Sequence, residues 1–252
     1  MRVAALLLAV LALSGCNRPT APAAEQSSRT EQVLLKAADG VAVYGTWSAP
    51  GNPRAIILLF HQAGSGQGEY LTIAPRLNAQ GFATLTIDQR SGGDMFGGNW
   101  TVKRLGGERS YLEARADLEA ALAWAREKKL PVILWGSSYS ASLAFLVAAD
   151  HPDQVAALLA FSPDEYFDGK PAIAPAAATL KMPVFITSSQ DADEIAAGKA
   201  LIDRVPAANK RQFVPVKGAV HGSSILIAQR NQSGAEDAWS AVLAFLDSAV
   251  PR

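Results

Sequence analysis

The sequence predicts an α/β protein with a mostly parallel central sheet, helices on both faces and an antiparallel hairpin at the N-terminal edge. Two observations predict it. Short unbroken apolar runs recur along the chain, such as AIILLF over Ala55–Phe60 and PVILW over Pro131–Trp135. A strand covered on both faces reads as such a run instead of alternating. Between the runs lie longer stretches with apolar residues at helical spacing. Strands that alternate with helices imply parallel pairing through crossover connections.

The elements follow in order. Val33 and Leu35, then Val41, Val43 and Tyr44, flank Ala38-Asp39-Gly40. Asp-Gly between two β-prone runs predicts a hairpin. Ala55–Phe60 is the first core strand, and a helix is expected over Glu69–Ala79, with Tyr70, Ile73 and Leu77 on one face and Gly81 ending it. Phe82–Ile87 is the next strand. Gln89–Gly107 holds six glycines in nineteen residues and reads as loop. Tyr111–Lys128 is a long amphipathic helix, Pro131–Trp135 a third core strand, and Ala141–Ala149 helical. Val155–Phe161 and Pro183–Thr187 are further strands, separated by a loop with room for a short helix. A helix over Ile195–Val205, a strand over Gln212–Val216 and a helix over Ala238–Ala249 close the chain.

The whole chain has 252 residues, 49% of them hydrophobic and 18% charged, which suffices for one sizeable core. Its 23 basic and 23 acidic residues balance. Phosphate binding needs a basic surplus, so no nucleic-acid partner is expected. No pair of histidines stands at ligand spacing, and no dinucleotide or phosphate-loop fingerprint is present; neither metal nor cofactor is expected.

The first residues read as an address. Arg2 precedes an eleven-residue apolar run, Val3–Leu13, too short for a bilayer span of about 20 residues. Leu13-Ser14-Gly15-Cys16 follows and resembles the bacterial lipoprotein box, which implies acylation of Cys16, the only cysteine. Residues 1–15 are then a signal peptide, 16–31 the lipidated Cys16 with a Pro-, Ala- and Ser-rich flexible tether, and 32–252 the folded domain. The expected location is the bacterial envelope, anchored to the membrane by lipid, at the outer membrane facing the periplasm if the source is Gram-negative.

The segment Gly136-Ser137-Ser138-Tyr139-Ser140 stands between a core strand and an apolar helix. It resembles the Gly-x-Ser-x-Gly nucleophile elbow of the α/β-hydrolase family, with Ser140 in place of the second Gly. The resemblance implies an α/β-hydrolase fold of the lidless, dienelactone-hydrolase-like and small-esterase branch, with Ser138 as nucleophile. The N–H of Tyr139 would be one oxyanion donor.

A serine hydroxyl needs a base. Of three histidines, His61 precedes the elbow and His151 lies where a helix ends, which suits a cap. His221, after the last core strand, fits the family order Ser, acid, His. The acid is expected after strand 183–187, in Ser188-Ser189-Gln190-Asp191-Ala192-Asp193-Glu194. By resemblance to Gly-x-x-Asp, Asp191 matches it, with Asp193 and Glu194 as competitors. His61-Gln62-Ala63-Gly64 resembles the family's His-Gly-x-Gly loop. Ala63 matches the second oxyanion donor, Gln62 is the alternative, and His61 buttresses the loop. Asp88–Gly93 resembles a loop that braces the sheet edge. Trp100, Tyr139 and Tyr166 are candidate wall residues of an open cleft for a small acyl substrate. The expected reaction is hydrolysis of a carboxylic ester, or of a related peptide, thioester or amide bond, through an acyl-enzyme. The alternatives are a non-catalytic envelope binding protein on the same scaffold, and a redox or haloperoxidase-like use of the triad.

Overall fold

The computed structural model describes residues 28–167 and 173–251. The signal peptide, Cys16 and most of the tether expected from the sequence lie outside them. Eight strands form one sheet in the order β1-β2-β4-β3-β5-β6-β7-β8. The hairpin β1 (Arg29–Lys36) and β2 (Ala42–Ala49) is antiparallel, and β2 joins β4 (Phe82–Ile87) antiparallel. From β4 onward every pairing is parallel: β3 (Ala55–Phe60), β5 (Val132–Ser137), β6 (Ala157–Phe161), β7 (Val184–Thr187) and β8 (Lys210–Phe213). β1 begins at Arg29, so residues 29–31, expected in the tether, pair with Ala49, Ser48 and Trp47.

Period-two alternation inside the apolar runs divides the core. Ile56, Leu58 and Phe60 point into one layer, while Ala55, Ile57 and Leu59 point into the other. The first layer packs against α3 (Arg115–Arg126), α4 (Tyr139–Asp150), α5 (Ile173–Ala177) and α6 (Ala192–Arg204). The second packs against α1 (Ile73–Ala79) and α7 (Ala235–Ala249). Each such Leu or Ile contributes roughly 1.5–3 kcal/mol by leaving water. Among the described residues no helix is long and apolar enough to cross a membrane.

Several elements differ from what the sequence predicts; the helix expected over Tyr111–Lys128 spans only Arg115–Arg126, after turns at residues 111–114. The helix expected from Glu69 starts only at Ile73, behind a 3-10 turn over Gln67–Tyr70 that turns Glu69 into the core. The glycine-rich stretch contains α2 (Trp100–Leu105), capped by the Asn99 side chain on the Val102 N–H and ended by left-handed Gly106. The last strand stops at Phe213, leaving Val214 and Val216 exposed. A 3-10 turn, Gly222–Leu226, follows His221.

From β3 the chain crosses to β4 on one side, then returns past β3 to β5 on the other. Such a reversal opens a crevice at the carboxyl ends of the strands, where open α/β sheets bind ligands. The loop after β3 carries Ala63, and the turn after β5 carries Ser138.

Candidate active site

The turn from β5 to α4 consists of one residue. Ser138 has φ 61° and ψ −129°, a conformation that costs a non-glycine residue on the order of 1–3 kcal/mol. Its neighbours hold it there. Its N–H donates to the Phe161 carbonyl at 2.8 Å, and its carbonyl accepts the Ala141 N–H at 2.8 Å. Gly136 is required, because a Cβ there would lie 2.3 Å from the Cα of Ala141. Ser140 fits where the motif has glycine and adds a clamp. Its hydroxyl accepts the Ser137 N–H (3.0 Å) and lies 2.7 Å from the Phe60 carbonyl, tying the elbow to the end of β3.

His221 is brought to this turn by its own loop. Gly222 has φ 67°, and a Cβ on it would lie 2.4 Å from the Ser137 Oγ. The Gly222 N–H donates to Ser162 Oγ (3.0 Å), and the Ser223 N–H to Ser137 Oγ (2.8 Å). His221 is half-buried, with Nδ1 2.8 Å from Oε1 of Glu194. The other carboxylate oxygen accepts from Ser162 Oγ (2.7 Å) and the Ser189 N–H (2.9 Å). Burial works against the charge on Glu194. The bonds from His221, Ser189 and Ser162 outweigh it and hold the carboxyl at about 2.

The carboxylate on His221 is therefore not the one that the resemblance selects. Asp191 is exposed and is the N-cap of α6, accepting the N–H groups of Asp193 (2.9 Å) and Glu194 (3.2 Å). Asp193 is exposed on the first turn. A glutamate three residues after an N-cap commonly reaches back to the cap's own N–H. Here that N–H is taken by Ser189 Oγ at 3.1 Å, and Glu194 turns to the sheet edge instead.

The loop after β3 is held from both sides. His61 is fully buried, and its Nε2 accepts the Gln89 N–H at 2.9 Å. Nδ1 must then carry the proton, and it donates to the Gln62 carbonyl at 2.8 Å. Burial pushes the His61 pKa below the ordinary value. Both ring nitrogens are occupied, so His61 buttresses the loop. The Gln62 N–H donates to Glu69 at 2.8 Å and is committed there. Among the described residues no hydrogen bond engages the N–H of Ala63 or of Tyr139. A first-turn N–H such as that of Tyr139 has no partner within its helix. His151 stands at the C-terminal end of α4, its N–H on the Val147 carbonyl.

Beside the elbow lies a cleft of about 590 Å³ lined by Glu108–Leu112, Tyr166 and Phe167. Tyr111 stacks on Tyr139, ring centroids 4.3 Å apart. Burial raises the Tyr166 phenol to about 12, against the opposing influence of the nearby Ser138 side chain. Its hydroxyl also donates to the Ser162 carbonyl at 3.0 Å. Tyr139 is itself buried, its hydroxyl held by Gln89 and Ser91. Trp100 lines two other hollows and does not line this cleft. Among the described residues no three His, Cys, Asp or Glu side chains gather as a metal site. Nothing in the sequence assigns Glu69 a role: as the first residue of an expected helix, an acidic side chain carries no signal of burial.

The sheet order, the one-residue strand-to-helix elbow and the histidine loop beside it define an α/β-hydrolase fold. Residues 51–186, over half of the chain, match the family model described as serine aminopeptidase, S33, and the chain belongs to that family. Solved structures share the fold. A dienelactone hydrolase of Anabaena variabilis superposes with a TM-score of 0.70 at 18% identity, over 90% of this chain and 100% of the other. An esterase of Pyrococcus furiosus gives 0.67 at 17% identity, over 88% and 93%. A monoacylglycerol lipase of Mycolicibacterium smegmatis is 24% identical over 143 residues, 54% of this chain. The match spans 48% of that lipase, about half of its length.

Proposed function

We propose that this protein is a serine hydrolase that cleaves carboxylic esters of small acyl substrates. The observation that carries the proposal is the bond from His221 Nδ1 to Glu194, made on a loop pinned to the strained Ser138 elbow. With Nδ1 donating to a carboxylate, Nε2 is left as the base, and the carboxylate fixes that tautomer.

Nε2 takes the Ser138 proton as Oγ bonds to the ester carbon, and the carbonyl electrons move to oxygen. The N–H groups of Tyr139 and Ala63 hold that oxyanion, each lowering the barrier by roughly 3–4 kcal/mol. As the ester C–O bond breaks, Nε2 gives its proton to the departing alkoxide. Water then loses a proton to Nε2, attacks the acyl-enzyme, and Ser138 leaves with the proton returned. The aromatic cleft beside Tyr166 takes the apolar part of the ester.

A fluorophosphonate probe should label the wild type and not Ser138→Ala, and p-nitrophenyl esters of rising chain length should be hydrolysed by the wild type only. Equal labelling of both proteins would sink the mechanism. For location, we propose an envelope lipoprotein acylated at Cys16, on the strength of the Leu13-Ser14-Gly15-Cys16 segment. Radiolabelled palmitate should enter the full chain expressed in bacteria and fail to enter Cys16→Ser; incorporation into both would reject it.

A further inference from the structure

The hydrolytic steps above make no use of Glu69, yet it lies behind all three of their loops. Its side chain is inside the protein, 1% exposed, on the 3-10 turn after β3. Oε1 accepts the Ser137 hydroxyl at 2.7 Å, and Oε2 accepts the Gln62 N–H at 2.8 Å. Ser137 in turn accepts the Ser223 N–H at 2.8 Å. One carboxylate thus ties the loop of Ala63, the residue before Ser138 and, through a hydroxyl, the loop of His221.

We propose that Glu69 is a positioning residue for the hydrolytic site, acting through Gln62 and Ser137 on the oxyanion donor, the nucleophile and the base. The inference rests on the serine-hydrolase reading and deepens it.

The geometry at Gln62 explains how. Its two flanking peptides are each held by one buried side chain. Glu69 holds the peptide between His61 and Gln62 by its N–H, and His61 holds the next by its C=O. In a trans peptide the C=O and N–H point opposite ways. Fixing the Gln62 carbonyl therefore aims the Ala63 N–H away from His61. Without Glu69 only one of the two peptides stays fixed. The Gln62 N–H would then turn toward any acceptor, and a displacement of about 1 Å is enough to cost two orders of magnitude in rate. Burying a carboxylate is expensive unless donors surround it. A hydrophobic side chain would fill this space at lower cost, which sets the three-loop clamp apart from simple core filling.

The test compares Glu69→Gln and Glu69→Ala with the wild type for kcat, KM and thermal midpoint. Asn78→Ala serves as a control. Asn78 is equally inside the protein, in a hydrogen-bond cluster with Ser48 and Thr84 that touches none of the three loops. Gln keeps an acceptor for the Gln62 N–H and a donor toward Ser137, so its loss should be far smaller than that of Ala, about 3- to 10-fold in kcat. Ala keeps neither, and kcat should fall about 100-fold with KM within about threefold. Asn78→Ala should lower the midpoint without lowering kcat. If Glu69→Ala does not fold, Glu69→Gln decides, with kcat expected about 3- to 10-fold down at unchanged KM. Wild-type kcat in folded variants, or a loss in KM alone, overturns the inference while the hydrolase reading stands. No probe labelling of the wild type at Ser138 overturns both.

Discussion

At the scale of single residues, Glu69 and Glu194 show the same group driven in opposite directions. Burial raises the Glu69 carboxyl to about 7, against the bonds from Gln62, Ser137 and Ser65 and the charge of His221. The other titratable groups facing it are Tyr70 and Tyr139. As pH rises past the ordinary glutamate value of 4.5, the unfolded chain releases this proton first, and the folded chain keeps it until about 7. The native state binds more protons in that window, so this group's contribution to stability falls as pH rises, by roughly 3 kcal/mol in all. Glu194, held at about 2, is ionised in both states above 4.5 and contributes no slope there; its contribution is lost only as pH falls from 4.5 toward 2. Urea unfolding at pH 4.5, 6 and 7.5 should therefore show the stability of Glu69→Gln, relative to the wild type, improving with pH. A difference that stays constant across the series would mean that Glu69 is ionised throughout.

At the scale of elements, α6 decides which acid serves His221, and it marks where sequence reading stops. The strands were legible because a run covered on both faces needs every side chain apolar, as in Ala55–Phe60. The elbow was legible because Gly136 and Ser140 must be small where β5 meets α4. The choice among Asp191, Asp193 and Glu194 was not legible. All three lie within one turn, and an N-cap can use any of them until the helix start is known. With Asp191 at the cap, its Oδ1 accepts the N–H groups of Asp193 and Glu194, and the longer Glu194 side chain is the one that reaches the sheet edge. Glu69 escaped for a related reason. Helical spacing put Tyr70 and Ile73 on one face, but the 3-10 turn rotates Glu69 inward with them. The two acids should separate by experiment. Asp191→Ala should lose about 1 kcal/mol of stability from the missing cap and retain hydrolysis. Glu194→Gln should fold and lose about 1,000-fold or more in kcat, as expected when the base is left in the wrong tautomer. The reverse pattern would return the acid role to Asp191.

At the scale of the whole molecule, an ion cluster around Arg90 ties α3 firmly, and the hairpin more loosely, to the loop beside His61. Arg90, in the loop after β4, is 3% exposed. Its guanidinium meets Asp117 of α3 at 2.8 Å, and its N–H donates to the same carboxylate at 2.8 Å. It also pairs with Asp39 in the turn between β1 and β2. The same loop supplies the Gln89 N–H to His61, and Gly92 lies so close that a Cβ would stand 2.7 Å from the His61 ring. Displacement of Arg90 therefore carries to the loop of Ala63. The two partners are unequal. Asp117 is fully buried, while the Asp39 side chain is 46% exposed. Removing a buried partner leaves an uncompensated charge, which costs about 3–5 kcal/mol. Removing an exposed one forfeits at most about 1 kcal/mol, because water and salt screen the pair. Asp117→Ala should thus unfold at much lower urea and lose kcat with it, and Asp39→Ala should differ little from the wild type, less so as salt rises. Equally small losses for the two variants would mean that Arg90 is solvated in solution and does not brace the loop beside His61; equally large ones would mean that the hairpin is coupled to that loop as tightly as α3 is.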